Sequence, residues 1–400
     1  MRIINIRNLG PIKEASVRVM PLTVFCGKQG SGKSTLAKII TSCLWMEKAL
    51  AKGVVSKKYL EQYNHFRKNI CGYLQFADFF SDSTYIKFQG ISYTFIYENG
   101  HFFVYETSTR EFQMPKISYV PAERNLLVAI ERAEKIKGLP PSLADLQDSY
   151  TIALRHLNGK EKIGIDDFLI EYDKSHKVTW IMGDGYRIKV HEAASGLQSS
   201  VPLLLVTQYL AQTSRNNKEI TLTSEERMRI SLEIKKIQEN KKLSEDTKNI
   251  MIENIDNRFR ISCFWNIVEE PEQNLYPTSQ RAILYTLIKE LNGNSDNGLI
   301  LTTHSPFMIN YLTLSIKAKS VENHLLEKAE DRKKEMEEIV PKQSRIDGNK
   351  VAIYQISDMG VVTKLPDYQG LPSDDNYLNT FLAETNDDFD KLIEIEDGAC

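Results

Sequence analysis

The sequence predicts an α/β fold: a mixed β-sheet flanked by helices, with a helical lobe and a short helical-hairpin insertion. Three observations predict it. Three short apolar runs, PLTVFC (21–26), CFWNIVEE (263–270) and GLILTTH (298–304), have the make-up of buried strands. Each gives way to a stretch with helical spacing. Strands that alternate with helices imply a sheet covered on its faces.

The elements follow in order. MRIINIRNL (1–9) and ASVRVM (15–20) are strand-like and are separated by Gly10-Pro11. PLTVFC ends directly at Gly27, and from Ser34 the pattern becomes helical, with Leu36, Ile39, Ile40, Cys43 and Leu44 on one face. Residues 84–108 hold three aromatic and β-branched runs, the last two separated by Asn99-Gly100, a hairpin signal. ISYVPAERN (117–125) reads as a strand ending in a loop, and 124–170 as mostly helical. An apolar helix follows at VPLLLVTQYL (201–210). Residues 214–260 contain a highly charged segment without Gly or Pro, in which Ile230, Ile234 and Ile237 keep helical spacing, as in a hairpin arm too short for a long coiled coil. After CFWNIVEE come a helix from Ser279, the GLILTTH strand, a helix from SPFMINYL, a charged helix over 321–339 and strands around Gly360. The tail from 371 to 397 sets nine acidic residues against Lys391 alone. These boundaries give an N-terminal sheet part (1–125), a helical lobe (126–213), the charged insertion (214–260), a second sheet part (261–320), and a C-terminal helix, hairpin and acidic tail (321–400).

Composition narrows the function classes. The 400 residues are 42% hydrophobic and 26% charged, which is enough apolar material for a sizeable core. With 51 basic and 53 acidic residues the net charge of -2 excludes a uniformly basic coat for nucleic acid, though not a local basic patch. Cys26, Cys43, Cys71, Cys263 and Cys400 form no CxxC pair, so they read as reduced thiols rather than a disulfide frame or zinc site. No signal peptide and no run of about 18 apolar residues is present, so a cytoplasmic protein that does not span a membrane is expected.

Chemistry concentrates in four places. GKQGSGKST (27–35) matches the phosphate-loop pattern GxxxxGK[ST] in full and lies between a predicted strand and a predicted helix, the context it requires. Gly27, Gly30 and Gly32 let the backbone turn its N–H groups inward, with Ser31 and Thr35 in the same loop; those amides and the helix start suit α- and β-phosphates. Lys33 would reach the β- and γ-phosphates and the Ser34 hydroxyl would ligate Mg²⁺. In NIVEEPEQNLYP (266–277) the strand end presents Glu269, placed to hold Mg²⁺, and Glu270, placed as general base for an attacking water. In LILTTHSP (299–306), His304 stands where it can hydrogen-bond a γ-phosphate. In HEAASGLQSS (191–200), Ser195-Gly196 precedes a helix, and a helix start is an anion site that a second subunit can bring to a shared nucleotide.

Taken in this order, the motifs resemble the ABC-type ATPases of the RecF, SMC and OLD group, whose ATP sites form between two head domains. The resemblance spans 1–312. It implies ATP and Mg²⁺ as cofactors, at least a head-to-head dimer, and a loop from Pro271-Glu272 to Pro277 crossing the dimer interface. Two departures stand out. Only Ser195 and Gly196 match the usual, richer signature, and where a Q-loop glutamine is expected the chain has Glu123 and Arg124, which leaves a metal-sensing carboxylate, an arginine on phosphate, or a local salt bridge. This argues against a transporter cassette. The chain also resembles stand-alone ATPases of bacterial phage-defence operons, such as the ATPase subunit of the phage anti-restriction-induced system. That likeness implies a nucleotide-gated scaffold controlling a separate effector, a nuclease. Only 88 residues follow Leu312, whereas a Toprim nuclease of the OLD type takes roughly 150 or more, so no nuclease of its own is expected. The alternative is an SMC- or RecF-like ATPase that clamps DNA during repair through the basic residues clustered in 216–260 and 317–349.

Overall fold

The structure, a computed structural model, describes residues 2–107, 113–130, 138–215, 224–240, 261–324 and 330–398, together with 244, 245, 248 and 252. The first strands are β1 (Arg2–Leu9), β2 (Ile12–Val19) and β3 (Leu22–Gly27), followed by helix α1 (Lys33–Ala51). Strands β4 (Phe80–Gln89), β5 (Tyr93–Glu98), β6 (His101–Glu106) and β7 (Pro115–Val120) come next. The β5–β6 turn has Asn99 and Gly100 both at positive φ, the geometry that matches strand twist in a two-residue hairpin. Helix α2 (Pro141–His156) leads to β8 (Lys160–Lys162), β9 (Leu169–Asp173), β10 (Val178–Gly183) and β11 (Tyr186–Lys189). Helices α3 (Ser195–Arg215) and α4 (Ser224–Gln238) precede β12 (Cys263–Glu269), α5 (Pro277–Leu291), β13 (Gly298–Thr303), α6 (Pro306–His324) and α7 (Glu330–Ile339). The chain closes with β14 (Val351–Ile356), β15 (Val361–Lys364) and α8 (Tyr377–Gly398).

Among the described residues one sheet has eleven strands, in the order β6-β5-β4-β1-β2-β15-β14-β3-β13-β12-β7. The run β14-β3-β13-β12-β7 is parallel, and the arm β6-β5-β4-β1-β2 is antiparallel. Every residue of β3, β12 and β13 is buried, as strands covered on both faces must be. Alternation along β3 divides two cores. Leu22, Val24 and Cys26 pack with α2, α3, α5 and α6, whereas Phe25 packs with α1 and the antiparallel arm. The fold is therefore mixed α/β, a large mixed sheet flanked by helices.

Two expectations need correction. The described part of 124–170 is helical over 124–129 and in α2, but strands begin at Lys160, and 160–189 form a four-stranded antiparallel sheet, β11-β10-β9-β8. Its strands have three to six residues, too few for alternation to stand out, and the β9–β10 turn is set by Asp173 accepting from the Ser175 and His176 amides. The helical lobe (126–213) is thus a helix–sheet–helix unit. The boundary at 320/321 falls inside α6, and the C-terminal β14 and β15 belong to the main sheet, where β14 pairs with β3 and β15 with β2. The tail begins with a two-residue strand, Leu371–Pro372, paired with Asp367–Tyr368, and then forms α8. In the charged insertion α4 is helical, while the expected second arm lies largely outside the described residues. Cys26, Cys43, Cys71 and Cys263 are buried free thiols; Cys400 lies outside the described residues. No described helix is long and apolar enough to cross a membrane.

Candidate functional site

The carboxyl ends of β3, β13 and β12 lie side by side, and each carries chemistry. After β3 the chain turns through Gly27–Gly32 into α1. Gly32 has φ 107°, and a Cβ there would stand 2.9 Å from Ile12 Cγ1, so only glycine fits. Helix α1 has no side-chain cap and no acid in its first turn, leaving its first amides available to an anion. The buried Lys33 ammonium donates to the Gly27 and Lys28 carbonyls, both at 2.8 Å. Burial lowers its pKa; the carboxylates of Glu270, Glu272 and Glu269 act the other way. Ser31 Oγ is buried without a hydrogen-bond partner. Ser34 is partly exposed and Thr35 buried, one and two residues into the helix.

Strand β12 lies two places from β3 with β13 between them, a gap of about 10 Å at ordinary strand spacing. It ends at Glu269, which is buried. Its Oε1 accepts from the Tyr119 hydroxyl and its Oε2 from the Ala122 amide at 3.3 Å. Glu270 takes φ 43°, a left-handed conformation costing about 1 kcal/mol or more for a non-glycine residue. That turn lets its carboxylate meet His304 Nδ1 at 3.5 Å. The pairing raises the His304 pKa and lowers that of Glu270. Buried Glu272 braces the same place: its Oε1 accepts from Thr303 Oγ1 at 2.7 Å and from the His304 amide at 2.9 Å, and its Oε2 has no hydrogen-bond partner.

Arg124 answers the question left by the missing glutamine. It is fully buried, and its guanidinium donates only to carbonyls: Ser199 at 3.0 Å, Pro121 at 3.3 Å, and Glu269 and Glu270 at 2.7 Å each. Burial draws its pKa down to about 10, against the fields of Glu272, Glu270, Glu269 and Glu123, so it stays charged at neutral pH. Its bonds thus clamp backbone carbonyls rather than form half of a simple salt bridge. It ties the end of β12 to the start of α3. Glu123 is exposed.

Ser195 and Gly196 open α3. Ser195 is exposed; Gly196 is buried, and a Cβ on it would stand 2.6 Å from the Asn274 carbonyl. Ser199 Oγ and Gln273 Oε1 lie 3.2 Å apart, so this helix start packs on the loop that follows the acid strand. The structure therefore brings Lys33, Glu269, Glu270 and His304 into one electrostatic cluster. It sets Gly196 and Ser199 against the 273–275 loop, with exposed Ser195 at the same helix start, and Arg124 links that start to the cluster. Sequence reasoning missed Tyr119, Thr303, Ser199 and the bracing by Glu272. Only Glu272 carried a signal, as the second acid of the EEPE run.

No protein-family profile and no curated protein matches the chain. Solved structures do show similarity. The SMC head domain from Thermotoga maritima is 10% identical, covers 92% of this chain and 100% of its own, and has a TM-score of 0.38. The ADP conformation of an ATP-binding cassette of an ABC transporter is 12% identical, covers 93% of each chain, and has a TM-score of 0.35. The recombination mediator RecF is 11% identical, covers 91% of this chain and 97% of its own, and has a TM-score of 0.36.

Proposed function

We propose that this chain is an ABC-type ATPase that holds ATP and Mg²⁺ between two copies of itself. One observation carries the reading: Lys33, Glu269, Glu270 and His304 converge at the carboxyl ends of adjacent buried strands, beside an uncapped helix start. The residues fit the group. Ser31 Oγ is an orphan in the loop, and the Lys33 ammonium is held only by loop carbonyls that a phosphate can replace. The cradle is Gly27, Gly30, Ser31, Gly32, Lys33, Ser34 and Thr35.

In this reading Lys33 binds the β- and γ-phosphates. Ser34 and Glu269 would hold Mg²⁺, the Glu269 carboxylate being oriented by the Tyr119 hydroxyl and the Ala122 amide. Bound Mg²⁺ offsets the charge that develops on the phosphate oxygens. Glu270 accepts the proton of the attacking water, and His304, aligned by Glu270 and Glu272, contacts the γ-phosphate. Ser195 and Gly196 close on the γ-phosphate held by a second copy. ATP favours the closed pair because it touches both copies and so binds that state better.

The narrower role we propose is a nucleotide-gated scaffold in a bacterial anti-phage defence complex in the cytoplasm, controlling a separate effector, a nuclease. The motif resemblance described above supports it. The test is the native mass and ATP turnover of wild type, Lys33→Ala and Glu270→Gln, alone and co-expressed with the product of the neighbouring gene. Lys33→Ala should bind nucleotide roughly 10- to 100-fold more weakly, the worth of one charged hydrogen bond or more. Glu270→Gln should trap ATP and the assembled form. Wild-type turnover in Glu270→Gln removes Glu270 as the base. A protein that ignores its neighbour and dimerises only with ATP and DNA is a DNA clamp instead.

A further inference from the structure

Two surfaces remain unused by the site. The first is the exposed second half of α8. Phe389 and Leu392 are each 63% exposed and Ile393 41%, and at about 100° per residue these three share one stripe. Asp388 and Asp390 flank that stripe, and Glu396 continues it. Over residues 384–397 there are seven carboxylates and one lysine. An apolar stripe of this kind, standing in water, is an element waiting for a partner. Two such helices would not pair with each other, because like charges would face across the seam.

The second surface is an open groove of about 840 Å³ between α2, the segment 127–130 and the β9–β11 side of the small sheet. Arg155, Lys174, Lys177 and Lys189 line it, against Asp148 as the one carboxylate of the lining. Its two histidines stand next to acids outside the lining: His176 pairs with Asp173 at 2.7 Å, and His191 lies 3.9 Å from Glu192. Apolar lining includes Leu127, Val128, Ile130 and Leu154, and Ile130 is itself 44% exposed.

We propose that α8 of one copy seats in this groove of a second copy, with the Phe389–Leu392–Ile393 stripe on the apolar lining and the flanking carboxylates against the basic rim. The complement of the acidic helix is present on the same chain, and charge and apolar character match in both directions. The two patches differ, so the contact either closes reciprocally in a two-fold pair, each helix in the other copy's groove, or runs head-to-tail into a ring or a chain. It would persist without nucleotide.

The test is sedimentation of the full chain at micromolar concentration without nucleotide, with charge reversals on each side. The groove variant carries Arg155→Glu, Lys174→Glu and Lys177→Glu; the helix variant carries Asp388→Lys, Asp390→Lys and Glu396→Lys. Each alone should weaken self-association about tenfold or more, and mixing the two variants should restore it, because the reversed helix of one then meets the reversed groove of the other while the native helix of the second meets the native groove of the first. Restoration is read in the six-fold variant that combines both sets in one chain, as well as by comparison with each set alone. All six positions are exposed, so the variants should melt with the wild type; glutamine at the same positions gives a milder second set. A monomeric wild type, or association unchanged by both reversals, overturns the proposal. So does a groove variant of unchanged mass that loses a labelled single-stranded oligonucleotide, which would assign the groove to nucleic acid.

Discussion

Arg124→Ala should cost the fold about 3–5 kcal/mol, an unusually large loss for one side chain. The guanidinium makes three short bonds, to the Glu269, Glu270 and Ser199 carbonyls. A hydrogen bond to a charged group is worth about 1.5–3 kcal/mol, so the three set an upper range of about 4.5–9 kcal/mol. Removing the cation also removes the cost of burying it, which returns several kcal/mol and brings the net into the lower range. Set against a total stability of about 5–15 kcal/mol, the loss shows directly as a lower denaturant midpoint. Arg124→Lys keeps the charge but offers one compact donor group where a planar fork spans several acceptors, so it should recover only part of the loss. Nucleotide affinity separates the two roles. A structural arginine leaves the ATP affinity of the folded Lys variant within a few-fold of wild type. A loss below about 1 kcal/mol together with a roughly 100-fold drop in ATP affinity would falsify the carbonyl-clamp account and place Arg124 on phosphate.

Other perturbations probe the same centre. The His304–Glu270 pair has a pH window: the raised His304 contributes fully below its unfolded value of 6.5 and loses this as pH climbs through the raised one, whereas the lowered Glu270 contributes fully above 4.5 and loses this as pH falls through the lowered one. The melting temperature difference between wild type and His304→Gln should therefore be widest between these two values; a difference that is flat with pH contradicts the pairing. Gly196→Ala places a methyl 2.6 Å from the Asn274 carbonyl and 2.9 Å from Leu275 Cδ2, and should cost about 1–3 kcal/mol of stability by overpacking. An unchanged thermal melt would show that the 274–275 loop yields freely. Tyr119→Phe removes the phenol that occupies Glu269 Oε1 and should lower stability by about 1 kcal/mol while altering the Mg²⁺ concentration needed for turnover. Turnover with an unaltered Mg²⁺ dependence would separate Glu269 from the metal.

The parts of the site that were legible in the sequence are those whose neighbours are close in the chain. The loop 27–35 needs only its own glycines and the strand and helix on either side, and Glu269, Glu270 and His304 each end a continuous apolar run. What was not legible depends on long closures. Arg124 takes its meaning from carbonyls 75, 145 and 146 residues away, and nothing in AERN announces them. Tyr119 meets Glu269 across 150 residues for the same reason. The small sheet was missed because strands of three to six residues carry too little periodic signal.

The position of β14 has a consequence for how the molecule comes into being. The phosphate-loop strand β3 is flanked by β13 on one side and β14 on the other, so both neighbours of a strand near the start of the chain lie beyond residue 297. As the chain leaves the ribosome, the loop emerges early but its strand has no ladder to join until the segment from Gly298 onward has been made. A nascent chain halted before Val351 would carry the complete GKQGSGKST motif on a strand with one edge bare. The loop's supporting strand is in this way tied to synthesis of the segment from residue 298 to 356, and a product truncated before it exposes a sticky edge.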